Sequence, residues 1–426
     1  MDFNTFLIRL GINPSNFSNR YFEPIKTNNG FIYEVEQSKD NKECPYCSSD
    51  KDVVIKDYDY VEINCSETEH FKDILRIKKV RFKCKKCNRT FTPSINGIDR
   101  YSKTSLQTIS LIIKDFTKLI TFKDIGLRYN LTTSRILQIF DERIKFVPRK
   151  KLPSVLCIDE KEFDEEINQK YVCVLYDYEN KDIVDVIRNR QLPYLEEYFN
   201  NIKEDERNKV KYFICDMYEG YKTICHKYFK KALLIVDLFH VIKELSRAVN
   251  KIRVNAMHKH NKESVEYSFM KRYWRFFLCR KENIPNKTFT SKKTGETYNF
   301  DDLVFKCVLN DKDLLSGYNI LQDLFHYREQ YYSFYEALNF VDIIVDRLLL
   351  SGNELLETVG YTYRRWRVEI ANGISKSQSG KYYTNAIAEG LNNQIGTIIK
   401  TAYGYHNFDR FRKRVMMIIT YKKDLG

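Results

Sequence analysis

Apolar and polar positions follow three successive rhythms along the chain. Residues 53–64 and 74–82 alternate as β-strands do, and they lie between two Cys-x-x-Cys motifs, Cys44-Pro45-Tyr46-Cys47 and Cys84-Lys85-Lys86-Cys87. From 105 to 146 the period is helical. Leu106, Ile109, Ile112, Ile113 and Phe116 form one stripe, and a second helical unit occupies 122–137. Gly126 leaves room for helices to cross, Asn130 suits a left-handed turn, and Thr132 or Thr133 can cap the next helix. This is helix-turn-helix grammar, with Ser134, Arg135 and Gln138 on the helix that would enter a DNA groove. A plain three-helix core gives the same apolar spacing. Past a basic, proline-marked linker at 149–153, the segments 154–159, 171–177 and 182–188 read as strands joined by short turns. A helix is expected near 192–202, and two apolar strands, 210–216 and 232–237, flank another helix at 218–229. The expected architecture is a mixed sheet covered by helices, followed by a mostly helical stretch from 239 to 366 with a polar break at 285–297. Residues 384–400 form an amphipathic helix, with Glu389, Asn392, Asn393, Gly396 and Lys400 opposite Ile387, Leu391, Ile395 and Ile398.

Composition narrows the class. The 426 residues are 43% hydrophobic and 30% charged, which excludes disordered and collagen-like chains. Arg9 interrupts the first apolar stretch, no cleavage site follows, and no apolar run reaches the ~18 residues of a membrane span, so a soluble cytoplasmic protein is expected. In a reducing compartment, eleven cysteines point to metal ligands or buried thiols. Cys44, Cys47, Cys84 and Cys87 can form the tetrahedron that Zn²⁺ prefers, with the two β-runs as the intervening hairpin of a zinc ribbon. Four reduced cysteines without metal are the bland alternative.

Lys and Arg number 71 against 57 Asp and Glu, a net charge of +14 that suits a polyanionic partner. Arg81, Lys85 and Lys86 belong to a basic run over 76–89, which reads as a phosphate-contacting surface or a solvated strand face. Other basic groups surround aromatics: Lys271, Arg272, Arg275, Arg280 and Lys281 among Phe269, Tyr273, Trp274 and Phe276, and Arg364, Arg365 and Arg367 around Trp366. With Arg410, Arg412, Lys413 and Arg414, these read equally as DNA surface or as packing.

Four predicted strands end in aspartate: Asp159, Asp177, Asp216 and Asp237. Asp177 fits a hairpin turn and Asp237 a helix cap, whereas Asp159 and Asp216 could share one sheet rim. Glu389, in the small and uncharged company of Gly390, Asn392 and Gly396, could lie near a sheet edge, although a lone Glu is usually just the wet side of a helix. His240 and His406 read as local hydrogen-bonding residues.

The order of ribbon, helix-turn-helix, Ile158-Asp159-Glu160, Ile214-Cys215-Asp216-Met217, Asp237-Leu238-Phe239-His240, Glu389-Gly390-Leu391-Asn392-Asn393 and Ala402-Tyr403-Gly404-Tyr405 resembles bacterial insertion-sequence transposases of the ISL-three family. The resemblance implies an N-terminal region with a zinc ribbon (1–100), a helix-turn-helix (101–150), and a ribonuclease-H-like α/β catalytic domain (151–245 and 370–426) interrupted by a helical insertion (246–369). It also implies an Asp159, Asp216 and Glu389 triad holding Mg²⁺ or Mn²⁺, structural Zn²⁺, and cleavage and joining of double-stranded DNA at element ends and targets. Asn392 and Lys400 would lie along that DNA, and the protein would act near the nucleoid as a homodimer or larger assembly. A catalytically inactive DNA-binding regulator is the alternative. Leu238 stands where arginine is common in the family, and Gly396 where a lysine often follows the Glu-Gly-x-Asn motif.

Overall fold

The computed structural model describes residues 2–18, 23–40, 42–66, 71–99, 102–166, 169–292, 295–327, 333–376, 382–384, 386–402, 405 and 407–421. It forms two compact units, Met1–Pro148 with Gln394–Gly426, and Arg149–Asn393. Tyr403, Gly404 and His406 lie outside the described residues. No helix among those described is long and apolar enough to cross a membrane.

In the first unit, strands β1 (Ile25–Thr27), β2 (Gly30–Glu36), β3 (Val53–Asn64), β4 (Ile74–Cys84) and β5 (Thr90–Phe91) form a sheet in the order β1-β2-β4-β3, with β5 also on β4. The β3–β4 hairpin pairs from Val53↔Cys84 to Asn64↔Ile74, with an irregularity between Ile55 and Asp57. Parallel β2 was not expected, and it changes the meaning of the basic run. Its register sets Glu34 opposite Arg76 and Glu36 opposite Lys78. Arg76 then bonds Glu34 at 2.7 Å and Glu62 at 2.8 Å, Lys78 bonds Glu36 at 2.7 Å, and Arg81 faces Asp57 at 3.4 Å. These exposed pairs add little stability, but they neutralise much of the strand's charge. The opposite side packs Leu75 and Ile77 against Phe6, Leu7 and Leu10, from and just beyond the helix Phe3–Arg9.

Three helices follow: Leu106–Asp115, Phe122–Arg128 and Thr133–Arg143. Each has a side-chain N-cap, from Ser105, Thr121 and Thr132 respectively, and Thr121 completes a capping box with Asp124. Asn130 takes a φ of 52°, and a Cβ on Gly126 would meet the Leu131 carbonyl oxygen at 2.6 Å. Phe116, Phe122 and Phe140 pack edge to face at their centre.

Asp115, 2% exposed, accepts hydrogen bonds from Arg128 (2.6 Å) and Tyr129 (3.0 Å) and pairs with Lys118 at 2.6 Å. Burial pushes its carboxyl up, but the bonds from Lys118, Tyr129 and Arg128 outweigh burial and hold it below its ordinary value. Its stabilisation is therefore complete above the unfolded carboxylate's ~3.9 and is lost as pH falls through the lower folded value. Asp115→Asn should reduce stability at neutral pH and flatten its acid-side slope, as read by urea unfolding across pH.

The helix Phe408–Val415 joins this unit, and its arginines are consumed structurally. Arg410 makes a bidentate pair with Asp141, and Arg412 donates to the Val147 carbonyl. Arg414, 2% exposed, donates to the carbonyls of Phe116, Lys118 and Ile120, closing the end of the helix Leu106–Asp115 and the turn beyond it. Arg414→Ala should cost the unit about 3 kcal/mol, seen as a lower urea midpoint. The unit boundary falls inside the helix Ala386–Thr401.

In the second unit, β6 (Val155–Glu166), β7 (Gln169–Asp177), β8 (Asp182–Ile187), β9 (Tyr212–Cys215) and β10 (Leu233–Val236) form a sheet in the order β10-β9-β6-β7-β8. The ladders β6–β7 and β7–β8 are antiparallel, while β9 is parallel to both β6 and β10. The helices Leu192–Asn200 and Glu219–Tyr228 bury Leu195, Phe199, Tyr221 and Ile224 in its core. A long helix, Leu238–Lys259, leaves the end of β10, and the chain returns to that strand after five further helices of eight or more described residues and a short hairpin. On return, the helix Arg367–Ile374 covers the edge strand. Asn372 donates to the Leu234 carbonyl at 2.8 Å, and a Cβ on Gly373 would meet the Val236 carbonyl oxygen at 2.6 Å.

The 269–281 segment is mostly packing. Phe269 and Phe277 are buried, and Phe269, Tyr273, Phe276 and Phe300 form a ring cluster. Arg280 donates to the Phe325 carbonyl. Trp366 is likewise buried, and Arg367 pairs with Asp342 at 2.8 Å.

Candidate metal centre and carboxylate rim

Each cysteine pair folds into the same knuckle. The Cys44 amide donates to the Ser49 carbonyl and the Cys84 amide to the Arg89 carbonyl, both at 2.9 Å. The residue after each second cysteine, Ser48 and Asn88, is left-handed, with φ of 54° and 58°. The hairpin register sets Val53 opposite Cys84, so the two knuckles meet at its end. All four sulfurs lie within 4.8 Å of one another, with Cys44···Cys87 and Cys47···Cys84 at 3.6 Å. A tetrahedron of Zn–S bonds of ~2.3 Å spaces its sulfurs by ~3.8 Å. The cluster can therefore hold zinc.

Burial raises the Cys44 thiol, but the Tyr46 and Cys47 amides and the adjoining thiols outweigh it and draw it down to about 7. At Cys47 the Ser49 amide favours the thiolate, yet burial and the hydrogen bonds of Cys84, Cys44 and Cys87 push it up to about 12. Four crowded thiols cannot all ionise alone, and a bound cation removes that conflict. Beside them Lys85 and Lys86 sit on the second knuckle. Ser134 and Gln138 are exposed on the helix Thr133–Arg143, while Arg135 lies 3.9 Å from Glu142, which also accepts from Gln138.

The second site is a row of aspartates across the α/β sheet: Asp216 and Asp237 follow the ends of β9 and β10, whereas Asp159, expected to end its strand, lies inside β6, which runs on to Glu166. Two residues beyond the last β6–β9 pair, Cys157↔Ile214, stand Asp159 and Asp216. One residue beyond the β9–β10 pair Cys215↔Val236 stand Asp216 and Asp237. Three aspartates thus share one level across parallel strands spaced ~4.8 Å apart. Asp237 caps the helix Leu238–Lys259 and accepts from His240 Nδ1 at 3.2 Å.

Burial first, then the charges of Glu160 and Asp159, push Asp216 up to about 6, against His240 and the Tyr218 amide. Asp159 is also raised, chiefly by burial. For His240, burial favours the neutral ring, but the Asp237 hydrogen bond and the charges of Asp237, Asp216 and Asp159 outweigh it and raise the imidazole. Glu160 is held apart by Arg190, whose Nη1 donates to both carboxylate oxygens at 2.6 and 2.8 Å, and by the Tyr221 hydroxyl at 3.3 Å. No sequence signal had singled out Arg190 or Tyr221.

Glu389 is exposed on the helix Ala386–Thr401, and Lys400 is exposed in its last turn. Three residues after Glu389, on the same side of the helix, Asn392 donates to Asp159 Oδ2 at 2.9 Å and accepts from Tyr176 at 2.6 Å. This amide ties the Glu389-bearing turn to Asp159 and defines which end of the side chain is oxygen. Among the described residues, the four cysteines are the one group of three or more potential metal ligands whose ligand atoms lie within 4.8 Å. Asp159, Asp216 and Glu389 do not meet that distance.

These features define a multidomain α/β protein with a metal-capable cysteine cluster and an acidic sheet rim. The chain belongs to the ISL3-type DDE transposase family, whose sequence pattern matches residues 156–415. It is also similar to a protein of Lactococcus lactis subsp. lactis described as an ATP-dependent protease, at 24% identity over 173 residues, or 38% of this chain and 52% of that protein. The chain thus matches about half the length of that curated relative.

Proposed function

We propose that this transposase binds the ends of its insertion element and cuts and joins DNA through Asp159, Asp216 and Glu389. Its catalytic domain would be ribonuclease-H-like, a reading supported by the order β8-β7-β6-β9-β10, with an antiparallel first half and parallel β9 and β10. Departure of the helical segment from β10 and its return there support an insertion. The observation that carries the reading is the pairing of Asp159 and Asp216 at one level of adjacent parallel strands.

The donor set fits a hard divalent cation. Asp216 Oδ1 is buried without a hydrogen-bond partner among the described residues, in a site crowded by like charges and equipped with carboxylate oxygens. Asp159 and Asp216 would hold Mg²⁺ or Mn²⁺, and Glu389 would join them from its helix. Such ions supply Lewis-acid stabilisation of the attacking and leaving oxygens of a phosphodiester. Asn392 orients the Asp159 carboxylate, and Arg190 keeps Glu160 out of the ligand set. In the first step water attacks phosphorus and the element's 3′ oxygen leaves as a hydroxyl. In the second that hydroxyl attacks a target phosphodiester, whose own 3′ oxygen leaves, so no covalent protein intermediate is required. Zn²⁺ on the four cysteines would rigidify the N-terminal ribbon, and the exposed Ser134 and Gln138, with Arg135, would contact DNA alongside Lys85 and Lys86.

Incubation of the protein with labelled element-end DNA tests this reading. Nicking that requires Mg²⁺ or Mn²⁺ supports it, whereas end-specific binding without any metal-dependent cut identifies a DNA-binding regulator.

A further inference from the structure

The face of the sheet that carries Asp159 also carries a buried tyrosine. In the β6–β7 ladder Asp159 pairs with Val174 and Cys157 with Tyr176, so Tyr176 is the diagonal neighbour of Asp159 on one face, about 7–8 Å from it. Its ring is fully buried, and burial followed by the Asp159 charge pushes the phenol well above its ordinary value, so the hydroxyl keeps its proton. Asn392 bridges the gap, accepting from the Tyr176 hydroxyl at 2.6 Å and donating to Asp159 Oδ2 at 2.9 Å. Every role in this chain is forced. An ionised carboxylate only accepts, so the amide must turn its nitrogen to Asp159 and its oxygen to the phenol, which then must donate. The helix that bears Asn392 is docked independently of these bonds. Ala388 and Leu391 are buried, and just before the helix Tyr383 packs on Tyr212 at 4.7 Å and on Tyr178 at 5.2 Å between ring centroids. The Tyr176 hydroxyl is therefore not needed to hold the helix; it sets the rotation of one amide.

We propose that Tyr176 is a positioning residue of the carboxylate site, acting through Asn392 to fix the rotation of the Asp159 carboxylate for a divalent cation. This rests on the reading of Asp159 as a metal ligand and adds the residue that steadies it from inside the sheet. Without the phenol's proton the Asn392 amide can flip, and a flipped amide presents its oxygen to the carboxylate. Two acceptors facing one another repel, so Asp159 leaves the orientation in which it is now held. Groups that bond a metal's ligands directly carry about 10–100-fold of metal affinity. Tyr176 stands one hydrogen bond further out, so its share is smaller, and it has no route to Asp159 once Asn392 is gone.

The test uses the full-length, zinc-loaded protein and reads Mn²⁺ binding by electron paramagnetic resonance, which counts the free ion. Asp159→Asn defines the binding that belongs to this site. Asn392→Leu should weaken that binding about tenfold and Tyr176→Phe about fivefold. The double variant should be no weaker than Asn392→Leu alone, because the two groups act in series. Cleavage of element-end DNA by Tyr176→Phe should fall at limiting Mg²⁺ and return to the parent rate at saturating Mg²⁺, since the hydroxyl governs occupancy and not the chemical step. Phenylalanine keeps the buried ring, and a tyrosine with a purely structural role would lower the unfolding temperature while leaving the Mn²⁺ affinity of the folded protein alone. Parent-like Mn²⁺ affinity in Tyr176→Phe, or losses that multiply in the double variant, would overturn the proposal. Mn²⁺ binding that Asp159→Asn leaves unchanged would instead remove Asp159 from the metal site, and with it the reading on which the proposal rests.

Discussion

Asp159→Asn and Asp216→Asn should each reduce strand cleavage by about three orders of magnitude, equivalent to ~4 kcal/mol of transition-state stabilisation, while element-end binding stays within about twofold. The reason is specific to the rim. Asp216 carries a buried oxygen without a hydrogen-bond partner among the described residues, and Asp159 sits at the same level of the neighbouring strand. An asparagine keeps the shape of the side chain but removes the charge that a hard cation needs. The same change relieves like-charge crowding, since Asp216 is raised by burial, Glu160 and Asp159. Folding stability should therefore stay level or rise, separating lost chemistry from lost structure. Quantitative gel assays for cutting and binding, with thermal unfolding of each variant, check all three expectations. Full cleavage by either variant would remove that aspartate from the site.

Removal of zinc should have the second large effect, confined to the N-terminal unit. The knuckles are short, and the small core beside them consists of Cys44, Val53, Val80, Phe82 and Cys84, with Cys47, Cys87 and Phe91 packed against it. So few apolar groups contribute little by themselves. Structural zinc sites bind with apparent free energies of ~10–16 kcal/mol, as large as the whole stability of many domains. Cys84→Ser, or a strong chelator, should therefore unfold the ribbon and abolish end binding, while the α/β unit keeps its own unfolding transition. Metal analysis of the purified protein should give about one zinc per chain. A metal-free protein with unchanged melting in chelator would refute the site.

Local chemistry made much of this legible in advance. Paired Cys-x-x-Cys motifs, the Thr132 cap, the Asn130 turn and the aspartates at the ends of apolar runs are all encoded within a few residues. Pairing over long sequence distances was not legible. The basic face of β4 looked open because its acids, Glu34 and Glu36, arrive on β2, some forty residues earlier in the chain. Arg410, Arg412 and Arg414 read equally as DNA surface or as packing, because their partners, Asp141 and backbone carbonyls between 116 and 147, are reachable only through folding. Asn392 looked like a strand-contacting amide, and its partners Asp159 and Tyr176 lie more than two hundred positions away.

The most direct measurement supplies the protein with a pre-cut element end bearing a free 3′-hydroxyl, supercoiled plasmid and Mg²⁺, and assays for covalently joined DNA. The wild-type protein is predicted to join the end to the plasmid, and Asp159→Asn to bind the end without joining it. No joined product from wild-type protein that binds the end and carries its zinc would contradict the account.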